Sequence, residues 1–194
     1  MRFAIGALAL AFASAPALAE DCPAERAVYT MHSDDDGDFR AQFIPAQHMA
    51  TVVSDLYLKL TTTQRSYWFG FSSSNGYGGI TALPVSDPYD ASAREEGPRS
   101  LLKEPETPED EAVETELLSR LRFIVLDENL QEAPGFPSSG DAAPPYVMMP
   151  DVGLALWYGI SALTEDEAAE RDSMPRGVFR LTECLKEVPA KAWP

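Results

Sequence analysis

Positive charge is scarce in this chain. Fifteen Lys and Arg stand against 31 Asp and Glu over 194 residues, a formal net charge of -16. Binding to a phosphate backbone needs clustered cations, so nucleic acid is excluded as a partner, and an anionic membrane surface is excluded for the same reason. Cysteine and histidine each occur only twice. There is no C-x-x-C for redox exchange, no H-E-x-x-H for a catalytic zinc and no G-x-S-x-G for a nucleophile elbow. No segment repeats at a fixed period, which excludes a solenoid. Beyond the first 19 residues there is no apolar run long enough to span a bilayer.

What is present begins with a leader. Arg2 supplies a basic start, residues 3–15 are apolar, and Ala17-Leu18-Ala19 has the small-x-small pattern of a signal-peptidase site. Residues 1–19 are therefore expected to be a signal peptide, leaving Glu20 as the mature N-terminus. The leader read as an anchor would have to tolerate Pro16 and lacks a basic stop-transfer flank. Glu20 and Asp21 precede Cys22, where a lipid-modified cysteine needs a small residue. The expected destination is the periplasm or the exterior, with no stable membrane anchor after cleavage. In that oxidising setting Cys22 and Cys184 are expected to form a disulfide joining the two ends of the mature chain.

Period-two alternation dominates the first half. Residues 26–31 and 39–44 flank SDDDGD, in which Asp36-Gly37 signals a hairpin. In 54–60, Leu56, Leu58 and Leu60 share a face. In 65–71, Tyr67, Phe69 and Phe71 share a face opposite Trp68. Residues 80–85 follow a glycine-rich turn, and 121–126 form a continuous apolar run suited to a buried strand. Residues 151–160 alternate again, and 177–185 make a last strand. Thr164 and Glu167 have capping-box spacing, which predicts a short helix over 165–171, and 111–118 suit a further helical turn. The long stretches 86–115 and 133–150 are rich in acidic residues or in Pro. The expected architecture is mainly β: one antiparallel sandwich or barrel-like domain over 20–194, with one or two short helices and 86–115 as a mobile acidic loop insertion.

Candidate sites are few. Asp34, Asp36 and Asp38, with Asp35, crowd a glycine turn as calcium ligands do. Aligned on Gly37, however, His32 and Phe43 fall where Asp and a bidentate Glu belong, so no metal is expected. Tyr57 and Trp68 project away from the core face, next to the turn that carries Asn75 and Tyr77. Exposed aromatics beside small polar residues suit a partner protein, a glycan or a small apolar ligand. The competing reading buries Trp68 under the acidic loop or a second sheet. No cofactor is implied. The expected function is an exported, non-catalytic interaction or ligand-binding module. Two alternatives are an envelope hydrolase using scattered acids, His32 or His48, and an acidic inhibitor or chaperone-like partner of a basic protein.

Overall fold

Eight antiparallel strands follow one another around a closed barrel in chain order. A computed structural model of the chain describes residues 22–73, 79–166 and 168–194. The expected leader, Asn75, Tyr77 and Glu167 lie outside the described residues. The strands are β1 (Ala27–Ser33), β2 (Gly37–Pro45), β3 (Leu56–Thr61), β4 (Ser66–Ser73), β5 (Ile80–Val85), β6 (Arg122–Leu126), β7 (Tyr146–Met148) and β8 (Phe179–Cys184). Pairing of β1 with β8 closes the circle, with Ala27 opposite Cys184 and Tyr29 opposite Leu181. Closure removes the free sheet edges that an open sandwich would leave. Gly37 ends the β1–β2 hairpin at φ +87, a conformation that the Asp36-Gly37 pair supplies without strain.

The alternation read from the sequence fills the barrel. Tyr29, Phe39, Phe43, Leu56, Leu58, Leu60, Tyr67, Phe69, Phe71, Phe123 and Phe179 are all buried within one core. Phe43 meets Tyr29, Phe71 and Phe123 edge-on, with ring centroids 5.5, 6.2 and 6.1 Å away. An eight-stranded barrel is just wide enough to be filled by its own side chains, and this one is.

Each end of the barrel is covered. At the end where β1 starts, Ala24 N–H donates to Asp141 O (2.8 Å) and Ala143 N–H to Cys22 O (2.8 Å), pinning the 133–143 segment across the opening. The Cys22–Cys184 disulfide sits here, with the two Cα atoms 5.7 Å apart. At the other end, α3 (Val152–Tyr158) lays Val152, Ala155 and Leu156 onto the core, joined by Leu163 and Met174. Gly153 lets this helix approach the chain that crosses it. A Cβ at that position would fall 2.1 Å from the Met174 carbonyl oxygen. Among the described residues no helix is long and apolar enough to cross a membrane.

Three local expectations are corrected. Residues 151–160 form α3 and a 3-10 turn (Ile160–Ala162), not a strand. Nearly every side chain there is apolar or glycine, so a helical stripe (Val152, Ala155, Leu156) fits as well as alternation does. The seventh strand is instead Tyr146–Met148, three residues inside the Pro-rich stretch, with Pro144 and Pro145 just before it and Pro150 just after. Prolines at a strand's ends cost it no ladder bonds. The helix expected over 165–171 does not form among its described residues. There Thr164 Oγ1 accepts from Asp166 N–H and Asp166 Oδ1 from Ala168 N–H, and such local bonds compete with a helix.

The 86–115 stretch has more order than its composition conveys. Ser86 N–H donates to Arg99 O and Leu101 N–H to Pro84 O, closing 86–101 into a loop that contains α1 (Ala93–Glu96). The helix α2 (Pro108–Arg120) then begins with Pro108 at its first position. Its capping box has Thr107 Oγ1 accepting from Asp110 N–H and the Asp110 carboxylate accepting from Thr107 N–H. The 111–118 turn read from the sequence is the body of this longer helix.

Candidate functional site

Tyr57 and Trp68 face outward, as the alternation requires, but neither is a surface residue. Tyr57 is 1% and Trp68 7% exposed, and they share a second apolar cluster with Ile44, Ala46 and Ala192. The covering layer is the segment around Ala192, together with the 46–50 loop and Tyr89. The Tyr89 ring meets Trp68 edge-on at 5.7 Å, and Lys59, directly across the ladder, sets its Nζ 5.0 Å from the indole centroid. Burial pushes the Tyr57 phenol up to about 12, so it stays protonated and donates to Trp193 O (3.0 Å). Covering by a second layer, the competing reading of Trp68, is the arrangement found.

The aspartate turn carries no ligand cage. Asp36 bonds within the turn to Ser33, whereas Asp38 Oδ1 lies 2.7 Å from His32 Nδ1 and Asp34 3.4 Å from its other ring nitrogen. The hydrogen bond and charge of Asp38 raise the His32 pKa above its ordinary value. Among the described residues no group of three or more His, Cys, Asp or Glu is placed to hold a metal ion. A solvated hairpin tip with His32 set between two aspartates accounts for these contacts.

Two features were not read from the sequence. One is Asp172, a carboxylate with no exposed surface that accepts from Thr62 Oγ1 (2.6 Å), Tyr67 Oη (2.8 Å) and Ser173 N–H (2.8 Å). Burial first, then the Asp172 carboxylate, pushes the Tyr67 phenol far above its usual range and fixes it as a donor. Three converging donors compensate a buried charge, and this hub ties the 163–176 crossing to the β3–β4 hairpin. Asp172→Ala would strand the buried Tyr67 hydroxyl and leave Thr62 Oγ1 only Arg65 O (3.2 Å) to donate to, and it is expected to cost about 2–3 kcal/mol, read by urea denaturation. A loss within error of zero would show that the crossing is held without this hub. Sequence alone offered only an Asp in a polar run.

The other is the outer stripe of α3. Leu154, Trp157 and Tyr158 are 39%, 40% and 69% exposed, while Val152, Ala155 and Leu156 of the same seven-residue helix are buried. The stripe lines an open cleft of about 380 Å³ with Met174 and Arg176. Arginines ring it: the Arg171 guanidinium lies 5.6 Å from the Trp157 centroid and Arg120 5.9 Å from that of Tyr158. Arg176 is held by Asp151 at 2.5 Å, and Arg120 is paired with Glu116. In a strongly acidic chain, three of its 15 cations gather at one aromatic face. The i, i+3, i+4 spacing of Leu154, Trp157 and Tyr158 is the signal that would have found it, had the segment been read as a helix. No protein-family model, no curated protein and no solved structure matches the chain.

Proposed function

We propose that this protein is a non-catalytic binding module of an oxidising, extracytoplasmic compartment, and that its contact surface is the outer stripe of α3. The observation that carries the reading is the exposure of Leu154, Trp157 and Tyr158 on a helix whose other face closes the barrel. A helix that is apolar all round is ordinarily covered all round, so an uncovered aromatic stripe is a contact surface in waiting. Trp, Tyr and Arg are the residue types that dominate interface hot spots, and all three meet here. The leader-like residues 1–19 and the disulfide support the compartment.

The experiment is paired. Trp157→Ala with Tyr158→Ala should cost no more than about 1–2 kcal/mol, the two exposed cation–π contacts that it removes, and should leave the barrel folded. The same variant should lose capture of the partner that the wild-type protein retains from an envelope fraction. Unchanged capture by the folded variant would remove α3 as the contact surface.

A further inference from the structure

The chain from Ala190 to Pro194 lies in a groove on the outside of the barrel as a bound peptide would. Ala192 N–H donates to Pro45 O (2.8 Å), Gln47 N–H to Ala192 O (2.9 Å), His48 N–H to Pro194 O (2.9 Å) and Trp193 N–H to Pro88 O (3.0 Å). Ala46 and Ala192 form a parallel bridge. Two phenols clamp the backbone from the sides, Tyr57 donating to Trp193 O and Tyr89 to Ala190 O (2.6 Å). Ala192 is fully buried over Tyr57 and Trp68, and the Arg94 guanidinium lies 5.3 Å from the Trp193 ring centroid. Main-chain pairing for affinity with side-chain pockets for specificity is how sheet edges recognise extended peptides.

The attachment of this segment is of the opposite character. Cys184 is fixed by its disulfide, and Leu185 N–H donates to Arg26 O. Lys186, Glu187 and Val188 are then exposed, and among the described residues no hydrogen bond joins 186–189 to the rest of the chain. A well-recognised segment on an unpaired tether is the arrangement that permits exchange between identical chains. The contacts are the same in cis and in trans, and only the tether decides between them.

We propose that the groove between Pro45–His48 and Pro88–Arg94 is an interface between two copies of this chain, each seating residues 190–194 in the groove of the other. At low concentration the tether keeps the segment in cis, because its effective concentration there is on the order of millimolar. Each copy carries a formal charge of -16, so repulsion opposes pairing and added salt favours it. The proposal is independent of the α3 surface, which lies at a barrel end.

Two complementary full-length variants test it. Ala192→Glu spoils the segment and leaves a groove open, whereas Ala46→Arg blocks the groove and leaves a segment free. Each alone should sediment as a monomer. Mixed in about 0.5 M salt, where screening reduces the repulsion to short range, they should form a 1:1 species of twice the chain's mass. Two monomer populations in the mixture, with both variants keeping a native barrel melt, would overturn the proposal. If either variant fails to fold, wild-type protein carrying a protease site between Glu187 and Val188 is cut after folding and titrated with a labelled 188–194 peptide. Saturable binding to the cut chain, absent from the uncut chain at the same concentration, supports a groove that accepts the segment in trans. No binding to a cut chain whose barrel is intact overturns it.

Discussion

Replacing both Cys22 and Cys184 with serine is expected to cost about 5 kcal/mol of stability. The bond spans a sequence separation of 162 residues, and freeing so long a loop in the unfolded chain gives about that figure in the chain-entropy model. Its position adds a structural reason. Cys184 stands opposite Ala27 in the β1–β8 ladder, the one pairing that joins the first strand to the last and turns a meander into a barrel. Partners so far apart in sequence meet late and at high entropic cost, and the covalent link removes that cost. A domain of this size has about 5–15 kcal/mol to lose, so the serine variant should melt about 10–20 °C lower and be partly unfolded at physiological temperature. Calorimetry of the oxidised protein against the double-serine variant decides it. A difference below about 1 kcal/mol would mean that the reduced unfolded chain already holds its ends together.

The sheet was legible where one face is buried and the other solvated. The Leu56, Leu58, Leu60 and Tyr67, Phe69, Phe71 sets all point inward, and the Asp36-Gly37 turn sits at the hairpin tip. Period two is a strong signal there because a one-residue slip would exchange every buried side chain for an exposed one. Around α3 the same reasoning failed, since a segment apolar on all sides contains both periods at once. The three residues of β7 were invisible because they contribute a single fully buried side chain, Val147, between prolines. The outer layer could not be read at all. Strand alternation places Trp68 on the outside of the barrel, but only tertiary structure brings Ala192 from 124 positions away to cover it. The same holds for Asp172, whose partners Thr62 and Tyr67 lie more than 100 residues earlier. The α3 stripe was hidden for a simpler reason: it exists only once the segment is a helix.

Trp68→Ala is expected to destabilise the protein by about 3–5 kcal/mol, the range for truncating a large buried aromatic. Trp68 is 7% exposed, with Val85 opposite it on β5, Lys59 opposite it on β3, Tyr89 against its edge and Ala192 in the same apolar cluster. Its removal opens a cavity between the barrel wall and the outer layer. That layer is a short segment, a loop and an excursion, each held by a few hydrogen bonds, and it can collapse only partly into the space. The loss should therefore come in two parts. Unfolding followed by far-ultraviolet circular dichroism reports the barrel and should shift by the full amount. Amide exchange at Ala192 and Trp193, whose N–H groups donate to Pro45 and Pro88, should quicken even well below the melting point, because the layer loses its floor before the barrel opens. Trp68→Phe keeps a ring against Tyr89 and Ala192 and should recover more than half of the loss. A Trp68→Ala variant within about 0.5 kcal/mol of wild type would instead identify the indole as a surface group that the outer layer covers only loosely. Tyr57 and Trp68 would then return as a contact surface beside α3.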